Sequence, residues 1–262
     1  MRIGLIGAGN MARSLARGWG EPVLCSDGGS GRARALVDEL GGEVGTNREV
    51  AQRADLVVLC HKPYQLDTVA EEIRDVVKAV VSVLGATTVA RLQRAYRQLP
   101  VFAVMPNTPV EVRRGVILYA EPPVSDAVDH APADPELEEH VLELFGRLGA
   151  VVRVPESLLD AATALTGVTP AYYALLAEAQ VDAGVRHGLK PLLASRLVTE
   201  SMGGSAALLA HRDYDTLAVR REVTSPGGST ARGLAELERA GVRSAFQAAS
   251  DAVLRAPAKA AS

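Results

Sequence analysis

Ile3-Gly4-Leu5-Ile6-Gly7-Ala8-Gly9-Asn10-Met11-Ala12 opens the chain with a strand-like apolar run, two glycines one residue apart, and the start of a helical stretch over Met11–Trp19. Such a glycine pattern gains meaning from that setting, between a first strand and a first helix. Gly7 permits the tight turn, Gly9 lets the backbone approach a pyrophosphate, and the small Ala12 lets the helix pack close to the strand. Free amides at the helix start attract phosphate charge. The stretch therefore predicts a dinucleotide-binding loop made by Gly7, Ala8, Gly9, Asn10 and Met11.

The alternation that begins there continues to about Val154. Val23–Ser26, Leu56–Cys60, Val80–Leu84, Val101–Met105, Val116–Tyr119 and Val151–Val154 read as strands. Gly31–Leu40, Tyr64–Val76, Thr88–Leu99 and Pro135–Leu148 carry helical spacing, the last with Asp134 as its cap. This predicts an α/β unit over residues 1–155, a Rossmann-like, parallel, doubly wound sheet with helices on both faces. Glu121–Asp134, rich in Pro, Asp and Ala, reads as a surface loop. After Pro155 the strand-like runs vanish. Ser157–Leu165, Pro170–His187, Pro191–Ala210, Tyr214–Val223, Thr230–Ala240 and Val242–Arg255 predict a separate all-α domain over residues 156–262, with a frayed tail at Ala256–Ser262. Ala171–Val185 is apolar around most of its circumference, which calls for cover on nearly every side and points to a homodimer.

Composition narrows the function classes. The chain has 262 residues, 48% hydrophobic and 23% charged, an ordinary globular balance. A formal net charge of −3 gives no general attraction to nucleic acid or an anionic membrane, so a small-molecule partner is expected. No secretory h-region opens the chain and no apolar run approaches the roughly 20 residues of a membrane span. The two cysteines, Cys25 and Cys60, are too few for a disulfide framework and read as small buried hydrophobes, so a cytoplasmic location is expected. The 5 histidines are scattered, which predicts no metal site, and no G-x-S-x-G elbow suggests a serine hydrolase.

The second strand ends in Cys25-Ser26-Asp27, and Asp27 lies about 20 residues beyond the first glycine, the spacing of an acid that bonds a ribose 2′-hydroxyl. That favours NADH. Ser26, Ser30, Arg32 and Arg34 offer the opposite, a grip on the 2′-phosphate of NADPH. The sequence is compatible with either NADPH or NADH as coenzyme.

Met105-Pro106-Asn107-Thr108-Pro109 at a strand end and Thr224-Ser225-Pro226-Gly227-Gly228-Ser229-Thr230 in the helical part resemble the motifs of pyrroline-5-carboxylate reductases. The resemblance extends over nearly the whole chain, through the glycine loop, Asn47, Lys62-Pro63 and Asp182-Ala183-Gly184. It implies a first domain holding NAD(P)H, a helical domain forming an interlocked homodimer that is often assembled further into rings of dimers, and a cyclic imine carboxylate as substrate, reduced to proline. On the coenzyme side it implies Lys62, Pro63 and Asn107 near the nicotinamide and Asn47 beside the adenine ribose. On the substrate side it implies Asp213, Glu222, Ser225, Gly227, Gly228, Ser229 and Thr230. Gly227 and Gly228 would leave amides bare at a helix mouth, a receptor for a small carboxylate. Thr230 matches the family's active-site threonine, whose hydroxyl would sit near the ring nitrogen, because an imine takes hydride readily only when that nitrogen is protonated or strongly hydrogen-bonded.

The chain also departs from the family. Thr166-Gly167-Val168-Thr169-Pro170-Ala171 stands where most members read Ser-Gly-Ser-Gly-Pro-Ala, His61 replaces a small apolar residue, Gly85-Ala86 inverts the usual order, and Glu222 replaces a neutral residue. Three readings follow: reduction of 1-pyrroline-5-carboxylate, the same chemistry on another cyclic imine acid such as a piperideine carboxylate, or nucleotide binding without turnover.

Overall fold

The computed structural model describes residues 1–121 and 135–255. The expected loop after Glu121, the cap at Asp134 and the tail Ala256–Ser262 lie outside the described residues. In chain order the first compact unit carries β1 (Ile3–Ile6), α1 (Asn10–Trp19), β2 (Val23–Ser26), α2 (Arg32–Leu40), β3 (Gly42–Val44), α3 (Asn47–Arg53), β4 (Leu56–Leu59), α4 (Leu66–Ile73), β5 (Val80–Ser82), α5 (Val89–Ala95), β6 (Val101–Pro106), β7 (Gly115–Glu121), α6 (Pro135–Gly146), β8 (Gly149–Pro155) and α7 (Leu159–Thr166).

The strands form one sheet in the order β3-β2-β1-β4-β5-β6-β7-β8. From β3 to β6 all neighbours are parallel, as the βα alternation predicts. β7 departs from that expectation and runs antiparallel to β6, with Val104 opposite Tyr119. The cause is the connection: a single-turn 3-10 helix at Thr108–Val112 and a left-handed Arg113 join the two strands, whereas a parallel crossover needs a dozen or more residues. β8 then pairs parallel with β7 after the α6 crossover. Two further elements add to the predicted set. β3 is three exposed residues without an apolar pattern. α3 is short but announced by Thr46 and Glu49, whose side chains cap each other's backbone amides.

Alternation along each strand divides the core between the sheet's two faces. Leu56 and Val58 of β4 join Leu5, Trp19, Leu36, Phe102 and Phe145 on one side. Val57 and Leu59 join Val50, Leu66, Ile73, Leu92 and Tyr96 on the other. Trp19 anchors α1 to α6, its Nε1 donating to the Leu144 carbonyl at 3.0 Å while Phe145 meets its ring edge-on. The chain order reverses beside β1, which is flanked by β2 and β4, and open sheets of this kind bind ligands at the carboxyl ends of such strands.

The compact units divide between Pro170 and Ala171, with α7 packed on β7 and β8. The second unit is all helical: α8 (Thr169–Arg186), α9 (Pro191–His211), α10 (Thr216–Glu222), α11 (Ser229–Arg239) and α12 (Val242–Leu254). Among its described residues Ala194 alone is a buried apolar side chain, while Tyr173, Leu175, Leu192, Leu197, Leu217 and Leu237 are exposed. A unit that buries so little has no core of its own.

Candidate active site

A cleft of about 550 Å³ opens at the carboxyl ends of β1, β2 and β4 in the first unit. Gly7, Ala8, Gly9, Asn10, Met11, Asp27, Asn47, Lys62 and Pro63 line it together, so most of the coenzyme residues predicted from sequence converge on one place. The two glycines act differently. Gly7 has φ +99°, and a Cβ there would lie 2.7 Å from the His61 amide nitrogen and 2.8 Å from the Cys60 carbonyl. Nothing larger fits between β1 and β4. Gly9 has extended backbone and caps α1, and the nearest atom to a Cβ there is 4.0 Å away. That open side and the unpaired first-turn amides of α1 suit a pyrophosphate against the backbone, so the cradle fits a dinucleotide.

At the end of β2 the Asp27 carboxylate is engaged by its own loop. Oδ1 accepts from the Gly29 amide at 2.9 Å, and Oδ2 accepts from the Ser30 hydroxyl at 2.8 Å and the Ala33 amide at 3.0 Å. The Ala33 amide first, then the Ser30 hydroxyl and the Gly29 amide, hold its pKa below the ordinary carboxylate value. Ser30 and Arg32 also line the cleft. Ser26 is buried and does not line it; its hydroxyl donates to Asn47 Oδ1 at 2.6 Å, and Asn47 Nδ2 donates to Glu72 Oε2 at 2.7 Å. Ser26 thus aims Asn47.

After β4, Lys62 is exposed and makes no ion pair among the described residues, and its amide donates to Gln65 Oε1 at 3.0 Å. Asn107 is not in the cleft wall. It is buried, its Nδ2 donates to the Thr166 carbonyl at 3.1 Å, and its Oδ1 accepts from the Val116 amide at 2.8 Å. Both ends of that amide tie β6 to β7 and α7. Burial pushes the Cys25 thiol up to about 12 and raises Cys60 as well, so both stay protonated and neither is an activated nucleophile. Among the described residues no cluster of three or more His, Cys, Asp or Glu could hold a metal ion.

In the helical unit, Ser225-Pro226-Gly227-Gly228 forms a turn in which the Gly228 amide donates to the Ser225 carbonyl at 3.0 Å. Proline second and a glycine with φ +68° third are what a type II turn requires. The expectation of two bare glycine amides is corrected here, because the turn itself consumes that of Gly228. The open amides are those that begin α11, at Ser229 and Thr230, which have no acceptor within the helix. The Thr230 side chain is exposed. Arg232 donates from Nη1 to the Gly227 carbonyl at 2.8 Å and fixes the turn from the following helical turn. Glu222 ends α10 with its carboxylate held in a two-pronged pair by Arg212, both contacts at 3.2 Å. Asp213 is exposed in the link before α10, where it and Tyr214 take left-handed backbone in succession.

Residues 156–259 match the family described as pyrroline-5-carboxylate reductase dimerisation, and residues 2–85 match NADP oxidoreductase coenzyme F420-dependent. The chain is 32% identical over 264 residues to a pyrroline-5-carboxylate reductase of Corynebacterium melassecola, covering 95% of each. It belongs to the pyrroline-5-carboxylate reductase family. The reductase of Mycobacterium tuberculosis is 33% identical over 281 residues, covering 95% of this chain and 92% of that protein. Among solved structures, the pyrroline carboxylate reductase of Plasmodium falciparum with NADP bound superimposes with a TM-score of 0.82 at 26% identity, covering 97% of this chain and 95% of that one. That of Streptococcus pyogenes gives 0.83 at 27% identity, covering 97% and 96%.

Within this pyrroline-5-carboxylate reductase family fold, the cleft also uses residues that the sequence motifs did not mark: Gln65, Val69, Val83 and Leu84 complete its wall. Their signal was positional only, since they follow β4 and β5 at the sheet's ligand-binding edge. No helix among the described residues is long and apolar enough to cross a membrane.

Proposed function

We propose that this chain reduces 1-pyrroline-5-carboxylate to proline with hydride from NADPH, as a homodimer. The observation that carries the reading is the presence, in one chain of this family, of a glycine-cradled dinucleotide cleft and of the Ser225–Thr230 turn with open amides at the start of α11. When bound, the coenzyme supplies the hydride that the C=N carbon receives. The chain does the rest. Gly7–Met11 and the α1 amides meet the pyrophosphate, Asn47 the adenine ribose, and Lys62 and Pro63 the nicotinamide half. Ser229 and Thr230 amides meet the substrate carboxylate, with Ser225, Gly227 and Gly228 shaping the turn that presents them. The Thr230 hydroxyl hydrogen-bonds the ring nitrogen, which ends the reaction as an amine bearing one new proton. Asp213 and Glu222 are assigned to the rim of that site. The activity is assigned to the cytoplasm, where two free thiols stay reduced.

The choice of NADPH rests on Asp27. Its carboxylate caps its own loop, so it is a poor acceptor for a ribose diol, while Ser30 and Arg32 offer a hydroxyl and a guanidinium to a 2′-phosphate. Arg32→Ala is expected to lower kcat/KM for NADPH about 10- to 100-fold and leave NADH within about twofold, the range of one charge-assisted hydrogen bond. A preference for NADH in the unaltered enzyme contradicts the assignment.

Steady-state oxidation of the coenzyme against pyrroline and piperideine carboxylates tests the reaction. A higher kcat/KM on the five-membered ring supports the proposal. Val168 and Thr169, with the Thr169 hydroxyl turned back to the Leu165 carbonyl at 2.5 Å, are the residues to exchange if the six-membered ring wins. Coenzyme binding without turnover on either ring would leave only the nucleotide-binding reading.

A further inference from the structure

The cleft contains one group for which the glycine cradle gives no use. His61 follows β4 and lines the cleft directly beside the turn at Gly7. Its Nδ1 lies 2.8 Å from the Lys62 carbonyl oxygen. A carbonyl only accepts, so Nδ1 carries the ring's hydrogen. Burial lowers the pKa of the imidazole, so the ring is neutral at neutral pH and Nε2 holds a bare lone pair. That atom is buried and has no hydrogen-bond partner among the described residues.

Among the described residues no protein group donates to Nε2: Glu72 only accepts, and the one bond that Asn47 Nδ2 makes goes to Glu72. A dinucleotide has donors of its own: ionised phosphates only accept, while in NADPH the adenosine half carries the adenine amine and the ribose 3′-hydroxyl, and the nicotinamide half a carboxamide amine and two ribose hydroxyls. The ring is near enough to Glu72 to feel its charge, and through Glu72 and Asn47 it is linked to Ser26 at the end of β2, the side on which the adenosine half is read.

We propose that His61 is a specificity-determining contact to the coenzyme, its Nε2 accepting a hydrogen bond from a donor on the adenosine half. The proposal rests on the reading of the cleft as the dinucleotide site. It makes His61 a binding residue, without a part in the hydride step.

Equilibrium binding of reduced coenzymes, followed by fluorescence, separates the two claims. The unaltered enzyme, His61→Val and His61→Gln are each titrated with NADPH, with its hypoxanthine analogue, which lacks the adenine amine, with a 3′-deoxyribose analogue, and with reduced nicotinamide mononucleotide. The expected result is a Kd for NADPH raised about tenfold in His61→Val, the scale of one neutral hydrogen bond. One of the two dinucleotide analogues should show the same loss on the unaltered enzyme and no further loss on His61→Val, which identifies the donor. The mononucleotide should bind all three proteins alike. His61→Gln, which keeps an acceptor, should recover part of the affinity, and with the analogues on unaltered enzyme it decides the matter even where His61→Val folds poorly. Unchanged NADPH affinity in both variants, or equal losses for both analogues in every protein, overturns the assignment. Failure of the unaltered enzyme to bind any dinucleotide overturns the reading of the cleft instead.

Discussion

A hydroxyl at residue 230 carries the heaviest chemical assignment. Thr230 lies in the first turn of α11 beside the open amides, and its proposed part is to address the ring nitrogen through Oγ1. Thr230→Ala is expected to lower kcat by about 10²–10³, the usual effect of losing one preorganised donor, with the Kd for coenzyme unchanged. Turnover within about twofold of the parent, measured at saturating imine, removes the role. His61 gives a second test at this scale, through pH. Burial holds its folded pKa below the ordinary 6.5. As pH falls past that value the unfolded chain takes a proton that the folded chain refuses, so stability is full at neutral pH, declines below about 6.5, and levels once the folded pKa is passed. Urea midpoints from pH 7.5 to 5 should show that decline, and His61→Val should flatten it; an unaltered slope in the variant excludes His61 as its source. Single residues were legible in the sequence where their partners are local. Gly7 and Gly9 work through the turn they stand in. Asn107 does not, because its amide is fixed by Thr166 and Val116. Asp27 is the exception: its partners Gly29, Ser30 and Ala33 are local, yet the turn of its carboxylate onto them is set by loop geometry that spacing alone does not give.

At the scale of elements, the sheet follows from βα alternation, and the exceptions have physical causes. β7 runs antiparallel because its connection from β6 is too short for a crossover. β3 escapes pattern reading because all three of its residues are exposed. Packing of α1 shows a constraint that periodicity cannot express: Gly18 faces the Thr108–Val112 turn so closely that a Cβ there would lie 2.2 Å from the Val110 carbonyl oxygen. Alanine at this position gains about 1 kcal/mol of helix propensity, yet forcing backbone apart costs about 1–3 kcal/mol or more. Gly18→Ala should therefore lower the unfolding free energy, by up to about 2 kcal/mol, with no change in the imine KM. A raised urea midpoint would mean that α1 and the turn separate freely. The same reasoning makes the type II turn at Ser225–Gly228 legible, since Pro-Gly-Gly specifies it, while the use it makes of the Gly228 amide emerges only from the folded backbone.

For the molecule as a whole, the question is what covers the helical unit. Leu192 is 85% exposed, Leu175 64% and Tyr173 55%, and Ala194 alone among the described apolar residues of that unit is buried. Sequence periodicity anticipated this, because Ala171–Val185 has apolar residues on nearly every side and a single helix cannot turn all of them inward. The family match at residues 156–259 names the same segment as a dimerisation domain. If a second copy provides the cover, unfolding releases two chains from one dimer, and stability depends on protein concentration. Each tenfold dilution should then cost about 1.4 kcal/mol of apparent stability per dimer, seen as a lower urea midpoint, with sedimentation giving twice the chain mass above the transition. Replacing Leu175 and Leu197 together by arginine should weaken association while leaving the βα unit able to bind coenzyme, since both leucines lie in the second compact unit. A concentration-independent midpoint with a sedimenting monomer would show instead that the helices find their cover within one chain, and the homodimer would have to be abandoned.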